Sequence, residues 1–153
     1  MRERIRDLDR LKHILDCIEN VMNYLEGKSF QQMNADRMCF HAVVYNIMVI
    51  GEAANMLTKD FREEHPEVPW RDIIDMRNVL IHGYYVASPL FIWETYTDNL
   101  PEFKLQIERF IAEIEDGTLI GYKYFDFRNV RQIGVSVRFE DGNNRVVFDG
   151  PVR

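Results

Sequence analysis

The chain has 153 residues, 46% of them apolar, and a net charge of −6. That composition fits one ordinary domain able to bury a sizeable core and excludes an intrinsically disordered chain. The acidic balance counts against broad electrostatic binding of nucleic acid, which needs a basic face, and no apolar run approaches the roughly 18–20 residues of a membrane span.

The charge is uneven. Residues 118–153 carry more bases than acids, so the acidic excess lies in the first 117 residues. Any nucleic-acid chemistry must therefore rest on a local positive cleft or on one assembled between subunits. The N-terminal "MRERIRDLDR" has no apolar segment and is not read as a signal peptide. Cys17 and Cys39 fall within helical patterns, outside any C-x-x-C pair. We read them as free thiols in a reducing cytosol, which makes the expected location cytoplasmic, away from membranes.

In chain order, Ile5, Leu8, Leu11, Leu15, Ile18, Met22 and Leu25 recur at steps of three and four. They predict one amphipathic helix over residues 2–26, closed by Gly27. Residues 28–33 read as a short connection. A second helix is expected from about Asn34 to Leu57, apolar on so much of its surface that it should be central. Within it Glu52 stands out, and Gly51, Ala53 and Ala54 permit close approach of a neighbour. "DFREEHPEVPW" reads as a loop, with Pro69 opening a third helix over Trp70 to Ile81 that Gly83 closes. Ser88 and Pro89 suit the start of a fourth, with Leu90, Trp93, Leu100, Lys104, Ile107, Ile111 and Ile114 at helical spacing. Pro101 predicts a kink or break near Asn99.

After Gly117 the pattern changes to period two. "LIGYKYFDF", "QIGVSVRFE" and "RVVFDGPVR" read as strands, with "DGNN" as a hairpin turn. The expected fold is mainly α, an antiparallel bundle of four main helices with a small C-terminal antiparallel β-hairpin. The expected division is 1–116 and 117–153.

"DMRNVLIHGYYV", residues 75–86, is the chemically richest stretch. Arg77 and His82 are five positions apart, about 140° and 7.5 Å on an ideal helix, so the two converge on one ligand only if the helix loosens before Gly83. An arginine fork suits phosphate, and a histidine titrates near neutrality. Together they could cleave RNA by removing the 2′-OH proton and steadying charge on the phosphorus oxygens. Spacing alone favours a plainer reading, a histidine set against the last carbonyls of a helix. Tyr84 and Tyr85 read either as cover for the core or as exposed hydroxyls beside His82. Glu52 needs a partner or solvent, and could pair with Arg77, orient His82, or form a plain salt bridge with another arginine. His13, His41, His65 and His82 show no metal-ligand spacing, and no Gly-rich phosphate loop precedes a helix, so no metal and no cofactor are expected.

The blocks "IGEAANML", "HPEVPWRDIIDMRNVLIHGYYV" and "IWETYTDNLPEFKLQIE", in that order, resemble the HepT-like ribonuclease toxins of the HEPN superfamily over about residues 4–115. The shared signature is R-x4-H-x-Y, met by Arg77, His82 and Tyr84, with Asn78 following the arginine. The resemblance implies a helical homodimer whose two motifs form one composite cleft. It implies a metal-independent endoribonuclease acting as the toxin of a toxin–antitoxin pair. Arg77 and His82 would be catalytic, Asn78 and Glu52 supporting, and Tyr84 would line the cleft. A partner minimal nucleotidyltransferase would silence the toxin by transferring AMP to Tyr84. The alternative is an inactive helical module that binds a nucleotidyltransferase or nucleic acid. The family pattern does not account for residues 118–153, whose strands bear a weak likeness to those of carbohydrate-binding modules.

Overall fold

The computed structural model describes residues 2–83, 87–123, 136–140 and 146–151. It divides into two units, Met1–Glu115 and Asp116–Arg153. The first is helical: α1 (Arg2–Leu25), α2 (Phe30–Ala35), α3 (Arg37–Met56), α4 (Lys59–Glu64), α5 (Trp70–His82), α6 (Pro89–Glu94), a π-helical turn (Thr95–Asn99) and α7 (Leu100–Lys123).

The central helix is α3, which packs against α1, α5, α2 and α6. Its buried residues include Val43, Ile47, Ile50, Ala53 and Ala54, which meet Leu11, Ile14, Ile18, Val21 and Leu25 of α1 in one core. Gly27 ends α1 with φ at +70°, a conformation only glycine adopts without cost.

Two helices replace expected loops. Residues 28–33 are largely α2, opened by a capping box in which Gln32 N donates to Ser29 Oγ at 3.2 Å and Ser29 N donates to Gln32 Oε1 at 2.8 Å. Such reciprocal capping satisfies two otherwise orphaned amides. Asp36 then caps α3, accepting from Cys39 N at 3.0 Å, so α3 begins at Arg37 rather than Asn34. "DFREE" lies in α4, whose cap Thr58 accepts from Phe61 N at 3.2 Å. Buried Asp7 of α1 fixes that cap, accepting from Thr58 N at 2.9 Å and Thr58 Oγ1 at 2.6 Å.

The interruption expected near Asn99 is a π turn, Thr95–Asn99, between α6 and α7. Ahead of Pro101, Leu100 N donates to Thr95 O across that turn, and Thr95 Oγ1 bonds back to Phe91 O at 2.8 Å. The widened turn accommodates a ring that would otherwise clash with the carbonyl four residues earlier. The buried stripe runs through Ile92, Thr95, Leu100, Phe103, Ile107 and Phe110, whereas Leu90, assigned to it from spacing, is exposed.

Helix α7 continues through Gly117 to Lys123, so the first part of the expected strand "LIGYKYFDF" is helical. A glycine inside a helix costs only about 1 kcal/mol relative to alanine, too little to stop one already propagated over four turns. In the second unit Ser136–Glu140 (β1) pairs antiparallel with Val146–Pro151 (β2), Ser136 opposite Pro151, with an irregularity at Phe139/Glu140. The "DGNN" turn lies outside the described residues.

Candidate active site at the α3–α5 crossing

Gly51 sets the geometry. A Cβ built on it would lie 2.4 Å from Arg77 Cβ and 3.0 Å from Ile73 O, so only a glycine lets α5 lie this close to α3. The approach brings Arg77 beside the next residue of α3: Arg77 Nη2 stands 2.8 Å from Glu52 Oε2. Of the pairings open to Glu52, the structure makes the one with Arg77. The angles of that contact miss those of a hydrogen bond, and both Glu52 Oε2 and Arg77 Nε are buried atoms without a hydrogen-bond partner. Arg77 Nη1 donates to Asn78 Oδ1 at 2.8 Å. The arginine side chain is 30% exposed and that of Glu52 46%, so solvent screens the pair and its net contribution is small.

His82 is the last residue of α5 and is exposed. Gly83 N donates to Val79 O at 2.8 Å, and a Cβ on Gly83 would meet that same oxygen at 2.8 Å. The helix therefore stays regular through His82 and stops immediately after it. The loosening needed to aim His82 and Arg77 at one ligand does not occur. The two keep the offset of an ideal helix, about 140° around its axis and 7.5 Å along it. Among the described residues no side chain pairs with His82. Tyr84 lies outside the described residues.

Large hydrophobic side chains are exposed on α3 and α5. Tyr45 is 65% exposed on the stripe of α3 that carries Glu52, and Val79 is 62% exposed on α5. Among the described residues no group of three or more His, Cys, Asp or Glu side chains could hold a metal, and no helix is long and apolar enough to cross a membrane.

In the structure Arg77 contacts both Asn78, its neighbour in the motif, and Glu52 of α3. Spacing missed α4, which brings Lys59 and Arg62 to the far end of the same two helices. The signal was present: Thr58 is a good N-cap ahead of Lys59 and Arg62.

The comparisons agree on one family. The family described as Ribonuclease HepT-like matches residues 14–110. A protein named "Putative RNase TTE0752" from Caldanaerobacter subterraneus subsp. tengcongensis is 38% identical over 67% of this chain and 92% of its own. A "Probable ribonuclease HepT" from Thermococcus cleftensis is 32% identical over 66% of this chain and 92% of its own. No solved structure matches the chain significantly.

Proposed function

This chain belongs to the ribonuclease HepT-like family, and from that premise we propose that it is a metal-independent endoribonuclease, the toxin of a toxin–antitoxin pair, acting as a homodimer. The observation that carries the reading is the seating of Arg77 against Gly51, beside Glu52 and Asn78, within the R-x4-H-x-Y motif.

The chemistry follows from the side chains. The ribose 2′-oxygen attacks the neighbouring phosphorus, the bond to the 5′-oxygen breaks, and the product carries a 2′,3′-cyclic phosphate. His82 takes the proton from the attacking hydroxyl or gives one to the leaving oxygen. Arg77 meets the charge that grows on the non-bridging oxygens. An incoming phosphate displaces Glu52 from Nη2, and the weakness of that screened pair keeps the exchange inexpensive.

Two features support a composite cleft. Arg77 and His82 point into different sectors of α5, so a second copy supplies the complementary half. Exposed Tyr45 lies on the Glu52 stripe of α3 and exposed Val79 one turn before His82 on α5, where a second copy could cover them. Two Arg77 side chains meeting there create a positive cleft in an acidic chain. Silencing is proposed to come from a nucleotidyltransferase that attaches AMP to Tyr84, placing negative charge and bulk where the RNA phosphate binds.

Incubating the purified protein with RNA in EDTA tests the reading. Cleavage with 2′,3′-cyclic ends, lost in Arg77→Ala and His82→Ala, is expected. Loss of cleavage in EDTA, or full activity of His82→Ala, overturns the mechanism. A protein that arrests no growth by itself yet forms a stable complex with a nucleotidyltransferase is instead a binding module.

A further inference from the structure

A cleft lies beside the motif, lined by residues outside it. It is an open groove of about 360 Å³ between α4 and the first half of α5. Lys59, Arg62 and Arg71 line it, with Asn55 at α3 and the acids Glu63 and Asp75.

The cleft continues the candidate active site. Asn55 stands three residues after Glu52 on α3, and Ile74, also in its lining, three before Arg77 on α5. Each step is about 4.5 Å along a helix axis. Gly51 meets Ile73 and Arg77, while Asn55 shares the cleft with Arg71 and Ile74, so the two helices run antiparallel here. Both therefore lead from the Glu52–Arg77 pair into the cleft.

Its charge suits an anion. Lys59 faces Glu63 at 3.5 Å and Arg71 faces Asp75 at 3.7 Å, both pairs on exposed surface and weakly coupled. Arg62 has no acidic partner among the described residues, and its planar fork can hold two phosphate oxygens at once. An open groove with more bases than acids, continuous with the arginine proposed to meet the scissile phosphate, fits a nucleic-acid strand better than a broad acidic protein surface. We infer that this cleft is a subsite for the sugar–phosphate backbone of the RNA, anchored by Arg62 and assisted by Lys59 and Arg71, beside the cleaved nucleotide. The inference rests on the endoribonuclease reading and names where the flanking strand runs.

The test uses the full chain and a fluorescent 2′-O-methyl oligoribonucleotide, which binds without being cleaved, followed by anisotropy through a salt titration. Arg62→Ala and Lys59→Ala are expected to weaken binding, each lowering the slope of log affinity against log salt by about one. Glu63→Gln, which removes a competing charge, is expected to tighten it. On cleavable RNA, Arg62→Ala is expected to raise KM while kcat at saturation is retained. Wild-type affinity and salt slope in both alanine variants, with no tightening in Glu63→Gln, overturn the inference. So does Arg62-dependent binding of polyglutamate as tight as that of RNA, which assigns the cleft to an acidic protein. A protein that cleaves no RNA but binds the 2′-O-methyl strand with an Arg62-dependent slope keeps the subsite and refutes the catalytic reading alone.

Discussion

Gly51 of α3 and Arg77 of α5 touch so closely that a Cβ on the glycine would lie 2.4 Å from the Cβ of the arginine. The contact joins the fold to the chemistry, because the same approach that packs two helices also sets the guanidinium beside Glu52.

Gly51→Ala should therefore act on both. The added methyl meets Arg77 Cβ and the Ile73 carbonyl, and such overpacking costs about 1–3 kcal/mol. Thermal unfolding should show a lowered Tm, and RNA cleavage should fall with it as Arg77 is pushed off its position. An unchanged Tm would mean that the helices are farther apart than described.

Glu52→Gln keeps the volume and removes the charge that faces Arg77 Nη2 at 2.8 Å. A partly exposed pair contributes about 0–1 kcal/mol, so stability should hardly move. Affinity for RNA should rise, since phosphate no longer competes with a carboxylate. Weaker RNA binding by this variant would assign Glu52 a direct role in holding substrate or in the reaction.

Asp7→Ala removes both acceptors of the Thr58 amide and hydroxyl. Leaving buried donors unpaired costs about 1–3 kcal/mol. The loss should concentrate at α4, where Thr58 caps the helix through Phe61 N. Faster hydrogen exchange at Phe61 and Arg62, ahead of that in α3, is the expected signature; uniform acceleration would contradict it.

Phe110→Ala should be the most damaging of these changes. The ring is fully buried and lies 4.1 Å from His65, 5.7 Å from Phe61 and 6.4 Å from Trp70, between centroids. Removing a buried phenylalanine costs about 3–5 kcal/mol, read as a shift in the denaturant midpoint. A shift worth less than about 1 kcal/mol would show that the aromatic cluster repacks freely.

Periodicity located α1 and a broad apolar surface located α3, because both bury long apolar faces, while Pro69 and Gly83 bracketed α5. Periodicity overlooked α2 and α4, which are six residues each, too short for an apolar stripe to repeat. Their caps, Ser29 with Gln32 and Thr58, were legible all the same. The pairing of Glu52 with Arg77 was readable as one option, because an acid in an apolar helix must find a partner. That it is the option taken depends on Gly51, and spacing along one chain does not disclose which residue of another helix a glycine will face. The regularity of α5 through His82 was equally hidden, since Gly83 fixes where a helix ends but not how well it holds until then.

The π turn at Thr95–Asn99 acts as a built-in insertion of one residue. Thr95 and Leu100 are both buried yet five positions apart, a step that would turn Leu100 about 140° away from the stripe of an unbroken α-helix. The wide turn absorbs the surplus, so one residue could be deleted from it without opening the helix. The deletion would restore the α-helical period and leave Phe103, Ile107 and Phe110 facing the core, whereas a deletion in the regular part of α7 would rotate the segment beyond it by about 100°. Here the helix can give up a residue that its regular turns could not.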